Sequence, residues 1–127
     1  MKLEQPLPGY VVDSITVSIG GTTVRLRPPR SDGDLAQVLI EGDYKIHGGE
    51  PENWRKPGGD LAELKGREVM EFRVGERGEG ELLFRDGIRL TAYPDVHYES
   101  WEFHGPGTLH WICLPGGEVT SVGAPSG

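Results

Sequence analysis

A chain of 127 residues is long enough for one folded domain, and its single cysteine excludes both an internal disulfide and a cysteine-based zinc site. The formal net charge is −7, and the 13 basic residues are dispersed among 20 acidic ones, which argues against nucleic acid and favours a basic protein partner. No apolar run reaches the roughly 18 residues of a membrane span, and the start MKLEQPLPGY lacks a signal-peptide core, so we expect a cytoplasmic protein with no membrane partner.

The first predicted hairpin lies in SITVSIGGTTVRLRP, residues 14–28. Apolar and polar residues alternate on both sides of Gly20-Gly21, which predicts two antiparallel strands joined by a two-residue turn. Counting outward from that turn pairs Ile19 with Thr22, Val17 with Val24, and Ile15 with Leu26. One face of this hairpin is therefore apolar and the other polar, as in a sheet that is buried on one side.

A linker and a short helix are predicted in the middle of the chain. The stretch GGEPENWRKPGG, residues 48–59, has glycine pairs, two prolines and little apolar periodicity, which is typical of an exposed linker. After it, Asp60 is a suitable N-cap for a helix over residues 61–65, and Gly66 is suited to end it.

A second hairpin is predicted to follow the strand of Met70, Phe72 and Val74. The charged, glycine-rich loop of residues 75–80 comes first, and we expect it to be mobile. Asp86-Gly87 then predicts a type I′ turn. This turn pairs Arg85 with Ile88, Phe84 with Arg89, and Leu83 with Leu90.

A third hairpin is predicted in HYESWEFHGPGTLHWICLPGGE, residues 97–118, with Gly105-Pro106-Gly107 as its loop. The predicted pairs are Phe103 with Leu109, Trp101 with Trp111, Glu99 with Cys113, Glu102 with His110, Ser100 with Ile112, and Tyr98 with Leu114. This register collects the large aromatic side chains on one face, so we interpret both tryptophans as core residues.

The same stretch holds residues that invite a catalytic or metal-binding interpretation. In the predicted register His97, His104 and His110 lie on different faces or at opposite ends, so we expect no metal site. Glu102 and His110 are expected to form a cross-strand hydrogen-bonded pair. Cys113 lacks a nearby base and faces a carboxylate, which favours a buried structural thiol over a nucleophile.

The chain is predicted to consist of two similar halves. LPGYVV (residues 7–12) and LKGREV (residues 64–69) share the pattern L-x-G-x-x-V, and each precedes a strand, a glycine turn and further strands. The last strand of each half is predicted at residues 38–41 and 98–103. We therefore expect a mainly β single domain over residues 1–127: antiparallel meanders with half-repeats at about 7–47 and 64–122, one short helix, and packing as a small sandwich or barrel-like domain.

Several motifs together resemble a known family. They are Tyr98-Glu99-x-Trp101-Glu102, then Gly105-Pro106, then Cys113-Leu114-Pro115-Gly116-Gly117-Glu118. This closing pattern is similar to that of small actinobacterial proteins with a domain of unknown function. The L-x-G-x-x-V segments, Ile40-Glu41-Gly42 and Phe84-x-Asp86-Gly87 also match, so the resemblance covers most of the chain. It implies a shared fold and assigns no catalytic residue.

Two functional hypotheses follow from these observations. The first is a non-enzymatic protein-binding module, such as an immunity or antitoxin-like protein, that binds a basic partner through Glu50, Glu52, Glu76 and Glu79 in the glycine-rich loops. The alternative is a small-molecule-binding or enzymatic domain with a pocket near Tyr44, Trp54, Tyr98 and Glu99. Neither hypothesis calls for a cofactor.

Overall fold

The computed structural model describes residues 3–48 and 61–122, and these residues form a β protein with one 3₁₀ helix at Leu61–Leu64. The strands in chain order are β1 Glu4–Pro6, β2 Val11–Ser18, β3 Gly21–Arg27, β4 Ala36–Ile40, β5 Tyr44–His47, β6 Val69–Val74, β7 Gly80–Phe84, β8 Arg89–Ala92, β9 Trp101–His104, β10 His110–Cys113 and β11 Val119–Ser121. The predicted mainly β fold is confirmed.

The strands form two open antiparallel sheets. The five-stranded sheet has the order β1-β6-β7-β8-β5, and the six-stranded sheet has the order β11-β10-β9-β4-β3-β2. Neither sheet closes into a barrel within the described residues, so the domain is a sandwich of two open sheets. The chain crosses between the sheets three times, after β1, after β4 and after β8.

Aromatic side chains from both sheets meet in the core. Phe72 of the five-stranded sheet stacks on Phe103 of the six-stranded sheet, with ring centroids 4.2 Å apart. Phe72 and Trp101 make a T-shaped contact with ring centroids 5.3 Å apart, and the ring centroids of Phe72 and Trp111 are 6.2 Å apart. Both tryptophans are buried, which confirms that they are core residues. These contacts join the two sheets through one hydrophobic cluster.

The first hairpin forms, but its turn lies one residue earlier than predicted. Ser18 pairs with Gly21, Val17 with Thr22 and Ile15 with Val24, so Ile19 and Gly20 make the turn. Gly21 has a φ of 139° and runs so close to β4 that a Cβ there would lie 2.6 Å from the Ile40 carbonyl oxygen. Gly21 is therefore a strand residue that permits close strand approach, and the predicted pairing of Val17 with Val24 was wrong. The slip is two residues, so Val24 and Leu26 keep their predicted buried face, whereas Val17 and Ile19, predicted on the same face, are exposed.

The second hairpin has a three-residue loop where a two-residue turn was predicted. The Phe84 amide donates to the Ile88 carbonyl at 2.9 Å, so the loop comprises Arg85, Asp86 and Gly87. Gly87 alone in that loop has a positive φ, at 93°, whereas a type I′ turn also needs one at Asp86. The Asp86 carboxylate instead accepts from the Ile88 amide and pairs with Arg67.

This loop shifts the register by one residue. Leu82 pairs with Leu90, and Leu83 pairs with Arg89. The predicted pairing of Leu83 with Leu90 was therefore wrong. The observed register places Leu82, Phe84 and Leu90 in the core. A one-residue shift in register turns the side chains of one strand to the opposite face of the sheet relative to the paired strand. Leu82, Phe84 and Leu90 can therefore all be buried only with the longer loop.

The third hairpin is shifted by two residues from the predicted register. Gly105 stays in the ladder, and its amide donates to the Leu109 carbonyl at 2.9 Å, so the loop is Pro106-Gly107-Thr108. The pairs are Trp101 with Cys113, Phe103 with Trp111, and His104 with His110. The predicted pairings of Trp101 with Trp111 and of Glu99 with Cys113 were wrong. The Gly107 amide donates to the Asp34 carboxylate at 2.8 Å, a contact with a distant loop that no local pattern reveals.

The predicted helix is a 3₁₀ helix at Leu61–Leu64, and Gly66, with a φ of 85°, follows it. Its predicted cap, Asp60, lies outside the described residues, as does most of the predicted linker.

The two L-x-G-x-x-V segments lie side by side. The Val12 amide donates to the Arg67 carbonyl, and the Val69 amide donates to the Tyr10 carbonyl. Gly9 and Gly66 both have positive φ, and a β-bulge follows the final valine of each segment. The leucines that open the segments are both buried, as are these valines. The two segments thus have equivalent backbone geometry about a shared contact, while the half-repeat boundaries stay a prediction.

The second half departs from the predicted strand order. Strands β6, β7 and β8 form its meander in the five-stranded sheet. Strand β9, predicted as the last strand of this meander, lies instead in the six-stranded sheet between β4 and β10. The crossover of residues 93–100 separates β8 from β9, and the sequence pattern gave no sign of a change of sheet.

Cys113 is a buried thiol at the inter-sheet boundary. Burial raises its pKa, against a smaller opposing effect from Ser100. The thiol donates weakly to the Gly78 carbonyl at 3.4 Å. The predicted structural environment is confirmed.

We expect a thiol reagent to label Cys113 slowly in the native protein and rapidly in denaturant, because the native thiol is buried and protonated. Cys113→Ala should lower the free energy of unfolding by about 1–3 kcal/mol, measured by urea denaturation. Native labelling as fast as that of the unfolded chain would contradict this assignment.

Candidate functional site

Two of the four acidic residues predicted to bind a partner, Glu76 and Glu79, lie in the described part of the chain. The loop of residues 75–80 is a tight turn and not a loosely held one: Gly78 is buried, and its carbonyl accepts the Trp101 indole N–H at 2.9 Å. Glu79 accepts from the Arg77 amide within that turn, whereas Glu76 is exposed. These contacts hold the loop against the sandwich, and its predicted mobility stays a prediction. Glu50 and Glu52 lie outside the described residues.

Three of the four residues of the predicted pocket lie in the described part of the chain. Tyr44 is on β5, partly buried against the core, while Tyr98 and Glu99 are exposed in the crossover before β9. Trp54 lies outside the described residues. Tyr98 therefore belongs to a surface, and a pocket completed by Trp54 stays a prediction.

We call the connections after β4 and after β8 the first and second crossovers, and these two segments are hydrogen-bonded to each other. The Glu41 amide donates to the Ser100 carbonyl at 2.8 Å, and the Tyr93 amide donates to the Asp43 carbonyl at 2.9 Å. The second crossover is fixed further by Asp95, whose carboxylate accepts from the His97 amide at 2.8 Å. These hydrogen bonds order both loops against the sandwich.

We call the surface formed by Glu41, Asp43, Asp95 and Tyr98 the acidic corner. The Tyr98 hydroxyl approaches the Glu41 carbonyl at 3.5 Å, while 43% of the residue stays exposed. The negative charge of Asp95 raises the pKa of Tyr98, with smaller contributions from burial, Asp43 and Glu41. A negative potential therefore surrounds an exposed aromatic ring. Beside it in the chain, Val96 is 73% exposed.

A second cluster of chemical interest lies on the solvent-facing side of the six-stranded sheet. We call Glu102, His104 and His110 the histidine cluster. The predicted separation of His104 from His110 was wrong, because the observed register places them opposite each other with rings stacked at 3.8 Å. The predicted contact of Glu102 with His110 is confirmed: Oε1 lies 2.8 Å from the His110 Nε2. The same Glu102 Oε1 atom also lies 3.6 Å from the His104 Nε2.

The environment of His104 favours a neutral imidazole. Burial lowers its pKa most, the neighbouring His110 lowers it further, and Glu102 opposes both effects. His104 also lines a cleft of about 420 Å³, together with Asp13, Arg25 and Gln37. His104 is therefore the member of the histidine cluster that borders this cleft.

A comparison with protein-family models identifies the family of this chain. A family of unknown function, DUF6188, matches residues 5–123. The chain belongs to this family. Neither the curated proteins nor the solved structures gave a match. Among the residues that the structure describes, no helix is both long and apolar enough to span a membrane.

The fold explains the glycines of the closing motif in this DUF6188 chain. Gly116 and Gly117 both have positive φ, and the Gly116 amide donates to the Asp95 carbonyl at 2.8 Å. Gly117 lies against the β6–β7 turn, where a Cβ would come within 2.6 Å of the Arg77 carbonyl oxygen. The motif therefore docks the β10–β11 turn onto both the acidic corner and the opposite sheet.

Proposed function

We propose that this domain is a non-enzymatic protein-binding module that holds a basic partner at the acidic corner. An immunity or antitoxin-like role in the cytoplasm, within an actinobacterial family, is the form of this proposal that we favour. The single observation that carries it is the exposed Tyr98 ring beside Asp43, Asp95 and Glu41.

The chemistry of the acidic corner suits a protein partner. Exposed tyrosine is a common anchor in protein interfaces, since its ring offers apolar area and its hydroxyl offers a hydrogen bond. The exposed Val96 adds apolar area, and the surrounding carboxylates supply charge complementarity to lysine and arginine. A cationic side chain can also pack on the ring face.

The two crossovers are already ordered before a partner binds, which supports the same proposal. Backbone hydrogen bonds, and not the carboxylates of Glu41 and Asp43, join the first crossover to the second. These two carboxylates are thus available to a partner. A surface that is already ordered loses little conformational entropy on binding, which favours affinity.

Charge reversal at the acidic corner tests the proposal. The partners to try are basic proteins encoded beside this gene, and a short peptide that alternates arginine with leucine serves as a defined probe. For the double variant Glu41→Lys and Asp43→Lys, we expect the association rate at low salt to fall by about tenfold or more. The loss should shrink at high salt, since screening weakens long-range attraction. Stopped-flow fluorescence or surface plasmon resonance measures both effects.

A matched control separates local recognition from overall charge. The double variant Glu4→Lys and Glu63→Lys changes the net charge by the same amount at exposed positions outside the acidic corner. It should retain most of the wild-type association rate. Equal losses in the two double variants would show that overall acidity alone attracts the probe, and an unchanged rate in both would remove the electrostatic basis of the proposal.

A further inference from the structure

The histidine cluster has the composition of a three-ligand metal site. Two imidazoles and one carboxylate are a common zinc set in proteins, and a fourth tetrahedral position then remains for water or another ligand. His104 and Glu102 are two residues apart on β9, so their side chains leave the same face of the sheet. His110 faces His104 from β10. Strand pairing therefore brings the three side chains together.

The distances within the cluster are close to those that zinc requires. With bonds of about 2.0–2.1 Å, the ligand atoms of a tetrahedral zinc site lie about 3.3 Å apart. The Glu102 carboxylate oxygen lies 2.8 Å from the His110 Nε2 and 3.6 Å from the His104 Nε2. One ligand atom from each of the three residues lies within 4.8 Å of the others. Small side-chain rotations suffice to admit an ion.

We propose that Glu102, His104 and His110 bind one Zn²⁺ ion on the outer face of the six-stranded sheet. This inference concerns a surface other than the acidic corner and does not depend on the proposed function. The ion would replace the hydrogen bond between Glu102 and His110. Their side chains are 22% and 23% exposed, so the ligands are partly shielded while remaining accessible to an ion. The cleft lined by His104 gives an added ligand access to the cluster.

Zinc titration of the full chain, freed of any affinity tag, tests this proposal. By isothermal titration calorimetry with ZnCl₂ alone, we expect saturable binding of one ion per chain. His110→Gln and Glu102→Gln should each weaken it by more than the roughly 10–100-fold that is typical of losing an outer-shell partner. His97→Gln is the matched control, since His97 is exposed in the crossover and outside the cluster, and it should bind zinc as the wild type does.

A spectroscopic readout identifies the ligands directly. Zinc should shift the imidazole NMR signals of His104 and His110 and leave those of His97 in place. The variant Glu41→Lys and Asp43→Lys should keep wild-type zinc affinity, so failure of this inference is distinguishable from failure of the proposed function. The absence of saturable binding, or equal affinity for wild type and His110→Gln, would overturn the inference.

Discussion

Trp101→Ala should destabilise the domain by about 3–5 kcal/mol, because it removes a fully buried ring from the contact between the sheets. The ring meets Phe72 edge-on at 5.3 Å, and its N–H donates to the buried Gly78 carbonyl at 2.9 Å. A domain of this size has a total stability of about 5–15 kcal/mol, so the variant should lose a large share of it. Urea denaturation followed by far-UV circular dichroism measures the change.

Two control variants separate the parts of this effect. Trp101→Phe keeps an aromatic ring and loses the indole donor, so it should cost clearly less than the alanine variant. Ile19→Ala removes a fully exposed side chain at the β2–β3 turn and should change stability by about 0.5 kcal/mol or less. A Trp101→Ala loss no larger than that of Ile19→Ala would contradict the observed core.

Gly78→Ala should lower the free energy of unfolding by about 3 kcal/mol or more, which is a larger loss than we expect for Gly107→Ala. Gly78 has a φ of 90°, and a Cβ there would overlap the Gly117 carbonyl oxygen. Both atoms belong to backbone turns, one from each sheet, so neither can rotate away. Movement of the β6–β7 turn to relieve this overlap would also displace the Gly78 carbonyl, which accepts hydrogen bonds from Trp101 and Cys113.

Gly107→Ala is the matched control for Gly78→Ala. Gly107 also has a positive φ, at 70°, but a Cβ there meets nothing within 4 Å. Replacing Gly107 by alanine should lower the free energy of unfolding only through backbone strain, by about 1–2 kcal/mol. Thermal and urea unfolding of both variants gives the comparison. Equal losses would show that backbone strain alone, and not the contact of the two turns, explains the need for glycine at Gly78.

Alternation of apolar residues was enough to predict the strands, and the side-chain faces of the first and third hairpins. In both, the observed register differs from the predicted one by two residues, which preserves the alternation of faces along the paired strands, although Val17 and Ile19 at the end of the first hairpin are exposed. The exact turns depended on contacts from distant residues. Gly21 lies against the Ile40 carbonyl, and Gly107 binds the Asp34 carboxylate. A glycine pattern does not reveal whether a glycine serves a turn or a close approach.

The candidate surfaces were only partly predictable for the same reason. The sequence analysis assigned Tyr98 to an alternative small-molecule pocket, whereas the acidic neighbours of Tyr98 in the structure include Asp43 and Glu41 from the other crossover. The contact of His104 with His110 follows from the register of the third hairpin, and the predicted register separated them. Long-range pairing, which local periodicity does not encode, assembles both surfaces.

The most direct test of the binding proposal is an NMR titration of the ¹⁵N-labelled domain with the arginine–leucine peptide at low salt. The account predicts that the largest shifts of backbone amide signals fall in residues 41–43 and 93–99, where the two crossovers form the acidic corner. Signals from the β6–β7 turn and from β2 should move little. Shifts that are largest outside the two crossovers, or small and uniform over the whole surface, would contradict the claim that the acidic corner is the binding site.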